Sequence, residues 1–255
     1  MEFIEKQLDG NLLVDTNEEV EKEKETQLEQ SLSLDNSHLN QLNHLNKLDA
    51  AFKLRGPSCG LIVVDNFYNN AQKTRDFILT QEFSVKGNFP GQRTISYANE
   101  HLRNIIQSYV GPFGGKITEF PITSTLTLDK DKPIYNGSFQ YTTARERSWV
   151  HTDSWNNWAG VLFLTPNAPI SSGTAFYRFM NGEYTEEDVK LLGTKEQTDR
   201  FSQDLTKWEL VDTVGNVFNR LILFNSKRFH MSMDYFGDNK ENSRLFQVFF
   251  FSTEK

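Results

Sequence analysis

Apolar residues occur in two patterns along this chain. From residue 117 onward they form short β-rich runs: ITEFPITSTLTL (117–128), SFQYTT (138–143), SWVHTD (148–153), AGVLFLT (159–165), GTAFYRF (173–179), RLILFN (220–225), RFHMSM (228–233) and SRLFQVFFFS (243–252). Turn signals separate them at Asn136-Gly137, Pro166-Asn167 and Gly237-Asp238, the punctuation expected between strands. Ahead of them, LIVVDNFY (61–68) predicts an opening strand. Two helices are predicted next: 71–83 with Asn70 as N-cap, and 99–110 with Asn99 as N-cap and a stop at Gly111-Pro112. A polar stretch over about 184–207 predicts a helical insertion. Many short strands after a pair of helices predict a mainly β fold with flanking α, a β-sandwich or jelly-roll barrel buttressed by helices on one face.

The pattern changes near residue 55. Residues 1–54 are rich in Glu, Lys, Gln, Asn and Leu and contain no Trp or Pro. They read as a helical or partly disordered extension, with the globular domain at 55–255. Within it, Leu39, Leu42, Leu45 and Leu48 lie three apart. On a helix they make a slanting stripe that could dock on the domain or join two copies into a homo-oligomer.

Charge sharpens this division. Residues 1–50 hold 12 of the 34 acidic side chains and only 4 of the 27 basic ones. The chain's net charge of −7 therefore belongs to the extension, and the body is close to neutral. That gives no support for phosphate-backbone contacts with nucleic acid. Hydrophobic residues make up 37% of the chain, with 21 Phe, which is enough for a core and excludes wholesale disorder. The longest apolar runs, such as LIVV and VFFF, fall far short of the ~20 residues of a membrane helix. The opening MEFIEKQLDG has no apolar secretory region, and Cys59 is the one cysteine. A cytoplasmic protein without disulfides or a cysteine-based zinc site is expected.

The candidate chemistry lies in three histidines of the body: His101, His151 and His230. His101 falls on a predicted helix surface. His151 opens H-T-D, so in a strand its imidazole and the Asp153 carboxylate would leave the same face. His230 follows the LILF strand and a turn. Two histidines and one carboxylate on strands match a metal site that leaves positions open on non-haem Fe(II). Arg244 lies 14 residues beyond His230, with a turn between them, so the two strands are expected to be antiparallel neighbours. Arg244 would then share a face with Phe246, Val248 and Phe250, and a guanidinium there needs an anion. Cys59 reads as inert and Arg220 as structural.

H-x-D, a distal His and an Arg on the following strand resemble the Fe(II)/2-oxoglutarate-dependent oxygenase superfamily, and the flavour is similar to its prolyl 4-hydroxylase-like branch. AGVLFLT followed by SGTAFYR resembles that branch's strand pair, with Ser172-Gly173 standing where the family has Gly-Gly. NFPGQRT at 88–94 and FNRLILFNSKRFH at 218–230 are similar to a subgroup of microbial oxygenases. The resemblance covers about 61–251 and implies a double-stranded β-helix with N-terminal helices.

It also implies roles. His151, Asp153 and His230 would hold Fe(II), and Arg244 would pair with the far carboxylate of 2-oxoglutarate, helped by Tyr141 and Thr174. O2 would complete the reaction, releasing succinate and CO2. Gln92, Arg93, Trp155 and Trp158 are the candidates for contacting substrate, which could be an amino acid, a peptide or a small natural product. Because Asp153 is kept, the resemblance implies no halogenation and, most simply, hydroxylation of an unactivated C–H bond, with desaturation or cyclisation also open. Two rivals come from other classes: a cupin-like metal- or ligand-binding protein without turnover, and a scaffold with a vestigial site.

Overall fold

The computed structural model describes residues 59–122, 134–153, 155–179 and 200–254. The 1–54 extension, its leucine stripe and most of the predicted insertion lie outside the described residues.

Among the described residues the elements run β1 (Leu61–Val64), α1 (Ala71–Leu79), β2 (Gln92–Ser96), α2 (Glu100–Gly114), β3 (Ile117–Glu119), β4 (Ser138–Thr142), β5 (Trp158–Phe163), β6 (Thr174–Phe179), β7 (Trp208–Val214), β8 (Leu221–Asn225), β9 (Phe229–Ser232) and β10 (Arg244–Thr253). The larger sheet has the order β1-β8-β5-β10-β4-β2, with β3 joining the end of β10. The smaller has the order β7-β6-β9, and His151 bridges to His230 on its far side. All the strand pairs are antiparallel. From β4 onward the chain passes to the His151 bridge, back to β5, across to β6 and β7, and then through β8, β9 and β10 on alternate sheets. That winding is a double-stranded β-helix, so the expected fold class holds.

The central strands β5, β8 and β10 of the larger sheet are buried on both faces, which is why they read as near-continuous apolar runs and not as alternation. One face of β5, β8 and β10 sends Leu162, Leu221, Leu223, Leu245, Phe249 and Phe251 into the main core with α1 and α2. The other face sends Ala159, Phe163, Ile222 and Phe224 into the barrel, where Phe176 and Val214 meet them from the smaller sheet. In α2, Leu102, Ile105, Ile106, Tyr109 and Val110 are buried, the spacing of a single helical stripe laid on the sheet.

Both N-caps form: Asn70 Oδ1 accepts from the Lys73 N–H at 3.0 Å, and Asn99 Oδ1 from the Leu102 N–H at 2.8 Å. Several boundaries differ from expectation. The opening strand ends at Val64, before Asn66 turns to a positive φ of 56°. The first helix ends at Leu79 rather than 83. The second passes through Pro112 and ends at Gly114, capped by Gly115, whose φ is 78°. Proline removes one backbone bond there, in the last turn, while close packing of Gly114 on Thr253 and Trp158 holds that turn in place.

Two strands were not expected. β7 follows directly on the predicted insertion. β2 forms at Gln92–Ser96, where the sequence pattern predicts no strand. It hid because its single apolar residue, Ile95, points to solvent while Arg93, Thr94 and Ser96 are buried. One pairing is corrected as well. β9 and β10 are not neighbours, because β9 pairs with β6 whereas β10 pairs with β4 and β5 in the opposite sheet. His230 and Arg244 therefore face each other's sheets across the barrel.

Candidate metal centre and the barrel interior

His151 and His230 exchange both backbone hydrogen bonds, His151 N–H to His230 O at 3.0 Å and the reverse at 2.9 Å. Directly opposed residues send their side chains to the same face. The imidazole centroids are accordingly 4.4 Å apart. Residues 152 and 153 then leave the sheet, so H-T-D is a single bridge followed by a bend and not the strand that was expected. Asp153 still reaches the same point, because its N–H is tied to the Ser226 carbonyl at 2.9 Å, just beyond β8.

The three side chains converge. Asp153 Oδ2 lies 3.3 Å from His230 Nε2, and Oδ1 lies 3.9 Å from His151 Nε2. One ligand atom from each residue falls within 4.8 Å of the others, and among the described residues this is the one such His/Cys/Asp/Glu group. His151 Nδ1 is 3.0 Å from the Trp149 carbonyl and His230 Nδ1 is 2.9 Å from the Arg228 carbonyl. A carbonyl can only accept, so each Nδ1 carries the hydrogen and each Nε2 keeps its lone pair aimed at the carboxylate. This is the tautomer that metal-binding histidines need.

The electrostatics agree. Although 38% of the His151 side chain meets solvent, desolvation first and the neighbouring His230 second lower its pKa to about 4, keeping it neutral at physiological pH. Burial pushes the Asp153 carboxyl up. The His230 imidazole first, then His151 and the Arg93 guanidinium, outweigh that and hold it below its ordinary value.

Arg244 lies deeper in the barrel and is 0% exposed. Its Nε donates to the Ser172 carbonyl at 2.8 Å and its Nη2 to the Gly173 carbonyl at 3.2 Å, while Nη1 has no partner among the described residues. Phe246 and Phe163 flank the guanidinium. Burial lowers its pKa to about 10, so it remains a cation at neutral pH. The hydroxyls of Thr142, its cross-strand partner on β4, and of Thr174, next to its carbonyl acceptors, are likewise buried and unpartnered. Three orphaned polar groups in one region are unusual in a folded interior and point to a ligand. Gly173 makes the cradle possible, because a Cβ there would lie 1.9 Å from the Val214 carbonyl oxygen.

The other candidates separate. Tyr141 pairs with Leu245 and so leaves β4 on the face opposite Arg244, where its ring meets Phe83 on the helix side. It is not brought to the barrel, a correction to its expected role. Trp158 is also turned to the helix side, stacked on Phe251 and donating to Thr253 Oγ1 at 3.0 Å, so it does not line a pocket mouth. Trp155 is 66% exposed and rests on Phe250, a residue of the barrel-facing side of β10. Gln92 is exposed at the edge of β2. Arg93, a candidate for contacting substrate, is 6% exposed and faces the barrel beside Gln140. Arg220 is a surface ion pair with Asp65, as expected, and His101 is exposed on α2.

Sequence reasoning missed Thr142 and Gln140. The available signal was the strand SFQYTT itself, in which the polar residues 138, 140 and 142 alternate and so share one face.

No protein-family model matches the sequence, and no curated protein matches it. Among solved structures, the chain is similar to a prolyl hydroxylase from Trichoplax adhaerens in complex with a hypoxia inducible factor peptide fragment, at 12% identity over 87% of this chain and 95% of that one, with a TM-score of 0.46. It is similar to HygX from Streptomyces hygroscopicus with nickel and 2-oxoglutarate bound, at 12% identity over 80% and 85%, with a TM-score of 0.47. A Phytophthora capsici prolyl 4-hydroxylase structure matches at 12% identity over 91% of this chain and 66% of that one, with a TM-score of 0.43. These likenesses are distant, and the chemistry of the barrel is set by its own residues.

Proposed function

We propose that this chain is an Fe(II)- and 2-oxoglutarate-dependent dioxygenase. The observation that carries the reading is a conjunction inside one barrel: a His/Asp/His cluster with both Nε2 lone pairs free, and a fully buried arginine with an unpaired N–H. The residues fit the implied group, since two neutral imidazoles and one carboxylate suit Fe(II) and leave open positions. When bound, the iron would supply the oxidising chemistry, with O2 and 2-oxoglutarate consumed, succinate and CO2 released and a C–H bond hydroxylated.

The protein's own part is to bind, orient and exclude water. His151, Asp153 and His230 hold the ion. Arg244 pairs with the far carboxylate of the cosubstrate through its free Nη1, and the Thr142 and Thr174 hydroxyls complete that pocket. Phe163, Phe176, Phe224 and Phe246 keep the interior apolar, which strengthens each of these contacts. Substrates are proposed to be an amino acid, a peptide or a small natural product, in the cytoplasm, with Trp155 at the rim. The domain proper is proposed to begin near residue 55. The test is succinate formation from 2-oxoglutarate by Fe(II)-reconstituted protein in oxygen. Succinate should appear with the unaltered protein and vanish with His230→Ala, and equal yields from both would refute the reading.

A further inference from the structure

Arg93 is the second buried cation of the barrel. Its Nε donates to Gln140 Oε1 at 2.8 Å and its Nη2 donates to the same oxygen. Gln140 is held in that orientation by its own Nε2, which donates to the Pro90 carbonyl at 2.6 Å. The guanidinium carbon lies 3.8 Å from the Phe89 ring centroid and 5.0 Å from that of Tyr135. One edge is thus fixed by a neutral amide and the faces by aromatics. Nη1 has no hydrogen-bond partner and Arg93 no ion pair among the described residues.

Other arginines of this protein show what a structural role looks like. Arg220 grips Asp65 with two bonds of 2.6 and 2.9 Å, and Arg178 grips Glu209 with two of 2.6 and 2.8 Å. Both pairs are on the surface, where pairing matters least. Arg93 lies inside without such a partner, where an uncompensated charge is costly. The acid that faces it is Asp153, which attracts it without contact and is already turned to the two histidines.

The charges of the assembled site decide what is missing. A divalent ion, one Asp, a dianionic cosubstrate and two buried arginines leave one positive charge over. A monoanionic group at Arg93 closes that balance, which favours a carboxylate over a dianionic phosphate ester. The register places Arg93 opposite Gln140 and Arg244 opposite Thr142, two residues apart on β4 and so ~7 Å along the strand. The two cations are also on opposite sides of β4, so one ligand carboxylate cannot occupy both.

We infer that Arg93, oriented by Gln140, is the substrate-binding residue of this barrel and takes a carboxylate of the substrate, so that the enzyme acts on a carboxylate-bearing small molecule. The inference rests on the dioxygenase reading above.

The test uses the full chain loaded with Mn(II) and saturated with 2-oxoglutarate without oxygen. The probe is 13C-labelled acetate, read by the paramagnetic enhancement of its nuclear relaxation. Acetate should bind saturably near the metal, and inorganic phosphate should displace it poorly. Arg93→Gln should weaken acetate at least tenfold while Mn(II) and 2-oxoglutarate still bind, each within a few-fold of the unaltered protein, and Arg93→Lys should retain part of the acetate binding. Gln140→Glu keeps the arginine and supplies an internal carboxylate, so it should also abolish acetate binding. Saturable acetate binding that survives in both Arg93→Gln and Gln140→Glu would overturn the inference, as would its absence from the unaltered protein. Phosphate binding as tightly as acetate would overturn the carboxylate assignment. Failure of the unaltered protein to bind Mn(II) or 2-oxoglutarate would refute the dioxygenase reading itself, and this inference with it.

Discussion

Arg244 and Arg93 enter the same barrel from opposite sides of β4, one across from Thr142 and the other across from Gln140. Neither forms an ion pair among the described residues, and each is anchored by neutral oxygens alone. A fold that buries two such cations beside a His/Asp/His cluster is organised to receive anions next to a metal.

The cosubstrate pocket can be probed at Arg244. Arg244→Leu removes the one guanidinium with a free N–H in that pocket. The loss of a buried charge-assisted pair costs roughly 2–5 kcal/mol, so 2-oxoglutarate affinity should fall by more than tenfold. Mn(II) affinity, measured in the same titration series, should not change.

Tyr141 and Thr142 are adjacent on β4 but face opposite sides. Tyr141→Phe should leave 2-oxoglutarate affinity within about twofold of its original value. Thr142→Val removes a buried hydroxyl whose hydrogen bond is worth ~1 kcal/mol, and should weaken 2-oxoglutarate several-fold. Calorimetric titration of both variants distinguishes the two faces.

Gly173 lets the chain pass under Val214. A methyl group 1.9 Å from a backbone carbonyl cannot be accommodated by a side-chain shift. Gly173→Ala should therefore destabilise the fold by about 1–3 kcal/mol in denaturant unfolding. It should also weaken 2-oxoglutarate, because the Ser172 and Gly173 carbonyls that hold Arg244 must move.

His151 should leave a pH signature in the metal-free protein. Its folded pKa of about 4 lies below the ordinary value of 6.5. Between those values the unfolded chain binds the extra proton and the folded one does not, so this residue makes stability fall as pH drops through that window. The melting temperature should decline from neutral pH toward pH ~4.5, and less steeply in His151→Gln. An equal slope in both proteins would contradict the assignment.

The sequence made the barrel legible where strands are buried on both faces. LILF and VFFF can hardly be anything else, and H-x-D with a distal His stands out because the body has so few histidines. Three things stayed hidden for physical reasons. β2 inverts the usual code by burying Arg93 and exposing Ile95, so hydrophobicity points the wrong way. β9 and β10 follow one another in sequence, which suggested a hairpin, yet a double-stranded β-helix sends consecutive strands to opposite sheets. Tyr141 came from the resemblance alone, and one residue along a strand turns a side chain to the other face, so Thr142 and not Tyr141 lies opposite Arg244.

The most direct measurement is anaerobic calorimetric titration of 2-oxoglutarate into the full chain, with and without Mn(II). The account predicts one cosubstrate per chain, bound only when the metal is present, lost in His151→Ala and weakened more than tenfold in Arg244→Leu. Binding of 2-oxoglutarate that ignores the metal, or none with the metal bound, would contradict it.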